Sequence, residues 1–439
     1  MHPGRIAIGN DSPLDETAKL DGTSLAASAT IPVVAFLRKT KPLLIAVAFL
    51  LFFLSVSGLL LMFPTALRGF VDFRHLYAAG YMLRTGHSHE LYDYAQNEKF
   101  QRAVVGRAEG AMPFNHPAFE TIFYAPFTFL PYQTAYVAVL FVNLMILATC
   151  IGMLRPYSHP LETIWPYLPM ATVICFLPTV IPLIEGQDSL ILLILMIGAT
   201  IALDRGSDGA AGVLLGMTLF KFQYAIPIAL LFFGWRRWRF LAGFAIAGAM
   251  VTGLSVSLVG FSGAASYLHS VTAMSAKFSA AEGIRYGIHP EQMANLRGLA
   301  FVVSRGSARL TQVLTIALST IVMIWAAFKR SSLPGALLAA LLVSYHQTIS
   351  DTALLVFPLA LILSGYLAAP DAQRERSAAL AAILFFGPAF LLLLAGNRLY
   401  LLTIPMLGLL AFWDGTYPSP FRDQRAVPAG NESIADRGT

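Results

Sequence analysis

Charge is what this chain lacks. Asp, Glu, Lys and Arg make up 12% of its 439 residues and hydrophobic residues 56%. That is about half the charged share of a soluble domain, too little to cover a globular surface, and it excludes an ordinary soluble fold. Cysteine is almost missing as well. Cys150 and Cys175 both lie inside apolar runs, at no disulfide or zinc spacing, so they read as inert buried thiols. The alternating ten-residue strands of an outer-membrane barrel are missing. So are a phosphate-cradling glycine loop, a low-complexity tract and an internal repeat. The net charge of +6 sits largely at the ends of apolar segments, where it sets topology, and gives no reason to expect a nucleic-acid partner.

What the chain has is apolar runs of roughly membrane length, which predict an all-α polytopic protein of about twelve transmembrane helices. The runs are 43–64, 132–153, 162–183, 189–203, 209–233, 240–258, 308–328, 333–345, 352–368, 378–395 and 399–413, with 295–304 dipping partly in. The run 209–233 decides the topology. As one span it would place Trp235-Arg236-Arg237-Trp238-Arg239 outside, against the positive-inside rule. Split at Lys221, it gives two short helices joined outside and returns those arginines to the cytoplasmic side with Arg155, Arg205, Lys329 and Arg374. Arg38, Lys39 and Lys41 likewise place the N-terminus inside.

The expected organisation is a disordered cytoplasmic tail (1–37), an integral-membrane catalytic domain (38–416) and a second cytoplasmic tail (417–439). The first apolar run is too distal and too long for a cleaved signal peptide, so it should stay as an anchor. Residues 65–118 form the first extracytoplasmic loop, and 261–294 the second. In the first, Phe73, Leu76, Tyr77, Gly80 and Tyr81 share one helical face while Arg74, His75 and Arg84 lie elsewhere. That pattern predicts an amphipathic helix in the headgroup zone, stopped at Gly86 and followed by a second such helix near 90–104.

A set of short motifs runs through these segments: Asp72-Phe73, Tyr77-Ala78-Ala79-Gly80, Gly86, Leu91-Tyr92-Asp93, then Pro117 with Phe123-Tyr124-Ala125-Pro126. Gly186-Gln187, Gly212 to Gly216 with Lys221, and the Trp-Arg-rich Gly234 to Arg239 follow. Together they resemble glycosyltransferase family 87 over most of residues 40–400. The resemblance implies a C-class glycosyltransferase fold. It also implies inverting transfer of a sugar, typically mannose, from a polyprenyl-phosphate donor on the extracytoplasmic face. The acceptor would be a lipid or glycan, and the protein would sit in a bacterial plasma (inner) membrane, among membrane lipids, with its active site facing the periplasm or exterior. Asp72 matches the family's aspartate base after the first span. His116-Pro117 departs from the Pro-Pro pair of many members.

Such chemistry needs one carboxylate to take the acceptor proton, cations for the leaving phosphate and an apolar groove for the prenyl tail. By spacing alone Asp72 reads first as a helix N-cap; the family resemblance makes it the candidate base. Lys221, costly between two apolar half-helices, is the leading phosphate-binding cation, with His346 and Arg398 as further candidates. Arg74, His75, Gln187, Asp188 and Asp351 are candidates for substrate contact. For each, an interfacial cap, a plain turn or a headgroup contact is the competing reading. No Asp-x-Asp pair stands near Asp72, so no obligatory metal and no cofactor are expected. The rival from another class is a polytopic lipid or solute transporter or flippase, which would carry paired mid-membrane charges and repeated halves.

Overall fold

The computed structural model describes residues 35–106, 112–276 and 289–421. The first 34 residues, residues 422–439 and the middle of the second outer loop, with Arg285, lie outside them. Among the described residues there is no strand, and six helical runs are long and apolar enough to cross a membrane, or eight if two bent pairs each count as one span.

The outermost helix is α1 (Lys41–Leu67), in which only Ser55 and Ala66 are buried, so its apolar surface is left for lipid. The first loop then folds into α2 (Phe73–Arg84) and α3 (Tyr94–Val105), with Gly86 at φ 79° ending the first. The charged edge of α2 does not face outward as the pattern suggested. Nine of the twelve α2 residues are buried, Arg74 and His75 among them, because α3 and the turns at 118–129 wrap over it. Gly80 makes that wrapping possible: a Cβ there would lie 2.8 Å from the Ala125 nitrogen.

The membrane part continues with α4 (Tyr132–Leu154) and a broken pair, α5 (Leu168–Ile174) and α6 (Val180–Glu185). The single span expected at 162–183 is bent by 59°. Pro178 and Pro182 fall in the second half, and proline disfavours helix in the residue before it. Then come α7 (Ser189–Asp204), α8 (Asp208–Met217) and α9 (Phe222–Gly234).

By length and composition the run Asp208–Gly234 is one of the six, yet in space it doubles back. A straight helix of 27 residues would be about 40 Å long. Arg237, just past its end, instead pairs with Asp208 at its start, at 2.7 and 3.0 Å. The turn falls at Thr218–Lys221, as expected from the charge pattern. The returning chain lays α10 (Trp238–Ala276) beside α8 so closely that a Cβ on Gly212 would lie 1.9 Å from the Phe240 carbonyl oxygen. Gly260, at φ 72°, interrupts α10. The second outer loop therefore begins as helix.

The last part holds α11 (Leu296–Val303), α12 (Ala308–Lys329), α13 (Leu333–Val343), α14 (Val356–Ala368), α15 (Ala372–Phe385), α16 (Gly387–Ala395) and α17 (Thr403–Phe412). The expected span 378–395 is another broken pair, bent by 54° at Phe386-Gly387-Pro388. Of these, α13 is buried from Leu333 through Leu342, and most of α7 is buried too. At 11 and 16 residues they are about 17 and 24 Å long, short of a full bilayer core. Short helices at the centre, ringed by longer ones, leave a recess at one end.

The other end is basic. Arg205 lies over Phe421, Lys329 donates to the Leu410 and Ala411 carbonyls, and Arg374 to Thr416. There Tyr417 and Ser419 donate to Asp204 at 3.2 and 2.9 Å. The expected tail boundary at 417 thus cuts through a packed strap.

Candidate active site

Four chain reversals meet in the recess. They are the link from α1 to α2, the link from α6 to α7, the hairpin tip between α8 and α9, and the link from α13 to α14. Gly186 sets the second. It adopts φ +62°, and a Cβ there would lie 2.8 Å from Phe73 Cβ, so glycine serves both the turn and the close approach of α2. That approach puts Gln187 and Glu185 against Asp72. Gln187 Nε2 donates to Asp72 Oδ2, while the Asp72 backbone N–H donates to Glu185 Oε2 at 3.0 Å.

Asp72 occupies the N-cap position of α2, but its side chain caps nothing. The competing reading from spacing is therefore answered: the carboxylate is turned to Gln187 and to a cavity. Burial raises its pKa, against the lowering from the Gln187 hydrogen bond and the Lys221 and His116 charges. A raised carboxylate pKa suits a proton acceptor.

The cavity has a volume of about 550 Å³. Its polar lining residues include Asp72, Glu185, His346, Gln347 and Thr348; its walls are mostly apolar, among them Leu54 and Met62 of α1, Ile184 of α6 and Leu394 of α16. Burial, with Arg297 nearby, pushes the His346 pKa down to about 4. At neutral pH His346 is therefore an uncharged imidazole, able to donate or accept one hydrogen bond but not a cation. Its Nδ1 has no hydrogen-bond partner among the described residues.

Lys221 is placed differently from the expectation. Its ammonium lies 2.9 Å from Asp188 Oδ1, 2.5 Å from Asp351 Oδ1 and 3.0 Å from Ser189 Oγ. All three donors are occupied, the side chain is 2% exposed, and it does not line the cavity. So enclosed, the lysine faces Asp188 and Asp351 rather than the cavity where a donor phosphate was expected. Asp351 is likewise internal. It accepts from Lys221, Ser189, Tyr224 and the Thr348 backbone N–H, the last as part of a capping box, so its expected substrate contact is corrected to a structural tie. Asp188 is 1% exposed and Gln187 4%; they hold Lys221 and Asp72 rather than facing the cavity. Arg74 and His75 are buried on α2, and burial, with His116 and Arg74 nearby, holds His75 well below its usual pKa. Arg398 is exposed at the turn after α16, outside the cavity lining.

The structure thus brings Asp72, Gln187, Asp188, Lys221 and Asp351 together, sets His346 in the lining of the same cavity as Asp72 and leaves Arg398 outside that lining. Sequence reasoning passed over four residues of the same region: Glu185, His116, Glu120 and Arg297. Glu185 carries a weak signal, a carboxylate at the end of an apolar run one residue from a Gly-Gln turn. His116 and Glu120 sit four apart across Pro117; their contact of 2.6 Å joins them to Asp188, 3.7 Å from the same ring nitrogen. Burial raises Glu120 to about 8. Burial would lower His116, but Glu120 and Asp188 beside it hold its pKa above the usual histidine value. Arg297 donates to the Tyr345 carbonyl beside His346.

Among known proteins, the sequence profile of glycosyltransferase family 87 matches residues 114–358, 245 of the 439. The matched stretch holds the turns of Gln187, Lys221 and His346 and begins after Asp72. No curated protein and no solved structure matches the chain.

Proposed function

Because the chain belongs to glycosyltransferase family 87, and so is a membrane-bound glycosyltransferase, we propose that it moves a sugar, mannose by the family resemblance, from a polyprenyl-phosphate donor to a lipid or glycan acceptor. Transfer inverts the anomeric centre and takes place on the extracytoplasmic face of a bacterial inner membrane. Family membership favours this reading over a transporter.

One observation carries it: a carboxylate with raised pKa lines a cavity whose walls are mostly apolar and are built partly from the lipid-facing helix α1. A lipid-linked sugar has the same division, a polar head to be processed and a hydrocarbon tail to be housed. Asp72 takes the acceptor hydroxyl proton as that oxygen attacks the anomeric carbon. His346, neutral and lining the same cavity, donates to the donor phosphate or orients the acceptor, and Glu185 accepts from a sugar hydroxyl. The leaving group is already a phosphate, so no protein acid is required. Lys221, Asp188, Asp351 and Gln187 act indirectly, by fixing the turns that hold Asp72; Arg398, outside the cavity lining, is available for the phosphate. In this arrangement about twelve segments alternate across the bilayer, the basic turns lying inside.

The test is turnover of a synthetic polyprenyl-phosphate-mannose by the purified chain. Asp72→Asn should keep donor binding and lose transfer by several orders of magnitude, as expected when a general base is neutralised. Near-native turnover in that variant would place the base elsewhere.

A further inference from the structure

Outside the cavity lining lies a cluster to which the transfer reaction gives no direct part. One ligand atom each from His116, Glu120 and Asp188 falls within 4.8 Å of the other two. The two carboxylates are 0% and 1% exposed. Lys221 serves one oxygen of Asp188. Glu120 has no such cation. Its sole ion-pair partner among the described residues is the His116 ring nitrogen, and neither of its oxygens receives a hydrogen bond of proper geometry there. His116 Nδ1 also lacks one. A fully buried carboxylate that faces a second carboxylate and has one imidazole, at 2.6 Å, as its ion-pair partner is costly to maintain. Either protons or a cation must stand among the three groups.

We propose that His116, Glu120 and Asp188 bind one divalent transition-metal cation. One imidazole nitrogen with two carboxylate oxygens is a donor set suited to Zn²⁺ or Mn²⁺, whereas Mg²⁺ and Ca²⁺ prefer oxygen alone. The site is built to hold its ligands. Tyr92 OH donates to the His116 carbonyl at 3.0 Å, Pro117 stiffens the turn between His116 and Glu120, and Lys221 anchors Asp188. None of the three lines the cavity, so the cation acts as a positioning element. It joins the turn after residue 113 to the 186–189 turn, whose Gln187 holds Asp72. Binding requires deprotonated ligands and releases protons.

The proposal is independent of which sugar or acceptor is used, and its test does not read activity. The full chain, purified in detergent without a polyhistidine tag, is stripped with chelator. It is then titrated with Mn²⁺ alone, followed by electron paramagnetic resonance, and with Zn²⁺ alone, followed by thermal unfolding. The expected result is one tightly bound Mn²⁺ per chain and a Zn²⁺-dependent rise in Tm of several degrees. Both should be lost in Glu120→Gln, which keeps the shape of the side chain, and in His116→Ala. Stripped wild-type protein that binds no Mn²⁺ and shows no Tm shift with Zn²⁺ would overturn the proposal. So would a folded Glu120→Gln protein that retains the full equivalent.

Discussion

At the scale of single residues Asp72 and Lys221 are placed differently: Asp72 lines the cavity, and Lys221 is enclosed by Asp188, Asp351 and Ser189. As the proposed base, the Asp72 carboxylate has to be unprotonated, and enclosure raises its pKa. Activity should therefore rise as pH climbs through that raised value and fall below it. The acid limb of kcat/KM, which reports the free enzyme, should have its midpoint above the ordinary aspartate value of about 4. A limb at or below that value would argue against Asp72 as base. For Lys221 the discriminating variant is Lys221→Met. Removing one partner of a buried ion network leaves charge uncompensated and costs about 3–5 kcal/mol. Here Asp188 and Asp351 would both lose their cation. A large drop in thermal stability, with or without substrate, is expected. Unchanged stability with a raised KM for the donor would instead restore Lys221 to the phosphate. The sequence marked both residues as important, because a lysine inside an apolar run is conspicuous. It did not disclose which groups face them, since Asp188 and Asp351 lie 33 and 130 positions away from Lys221. Glu120 and Glu185 went unnoticed for the same reason: their meaning comes from partners on other turns.

Helices with strong composition were legible at the scale of elements. The run expected at 308–328 is α12, Ala308–Lys329, and the stop at Gly86 holds through its positive φ. The hairpin at Lys221 followed from counting arginines at the far end, a long-range constraint that charge alone supplies. The bends at 54° and 59° were less visible, because Pro178, Pro182 and Pro388 lie in runs whose hydropathy is uninterrupted. The burial of α2 escaped for a different reason. Arg74 and His75 look like a headgroup-facing edge until α3 and the turns at 118–129 cover them. Glycine packing at the hairpin gives a test at this scale. Gly212→Val would drive side-chain atoms into the Phe240 and Phe244 backbone, where even a Cβ would lie 1.9 and 2.9 Å from the nearest atoms. That helix pair cannot shift without moving the tip at Lys221. Folded yield of Gly212→Val in mild detergent should collapse, whereas Gly152→Ala, where no atom lies within 4 Å, should be neutral.

On the scale of the whole molecule, the two ends differ in kind. One gathers Asp72, Asp188, Lys221 and Asp351 in a recess over short central helices; the other gathers Arg205, Arg237, Lys329 and Arg374 around a packed C-terminal strap. If the basic end follows the positive-inside rule and lies on the cytoplasmic side, the recess and its cavity face outward, as the proposed use of a lipid-linked donor on that face requires. The doubled-back run 208–234 makes this orientation testable. Its two ends, near Ser207 and Arg239, must share a side, and Thr85, at the end of α2 in the first loop, must lie on the other. In a variant with Cys150 and Cys175 replaced by alanine, single cysteines at Thr85, Ser207 and Arg239, all exposed, can be probed in spheroplasts with a membrane-impermeant maleimide. Thr85→Cys should label in intact spheroplasts, and Ser207→Cys and Arg239→Cys only after permeabilisation. Labelling of Ser207→Cys and Arg239→Cys from opposite sides would mean that 208–234 crosses once and would dismantle the recess. Labelling of all three with the sides exchanged would keep the recess but face it to the cytoplasm, where the donor would have to be presented from the inner leaflet.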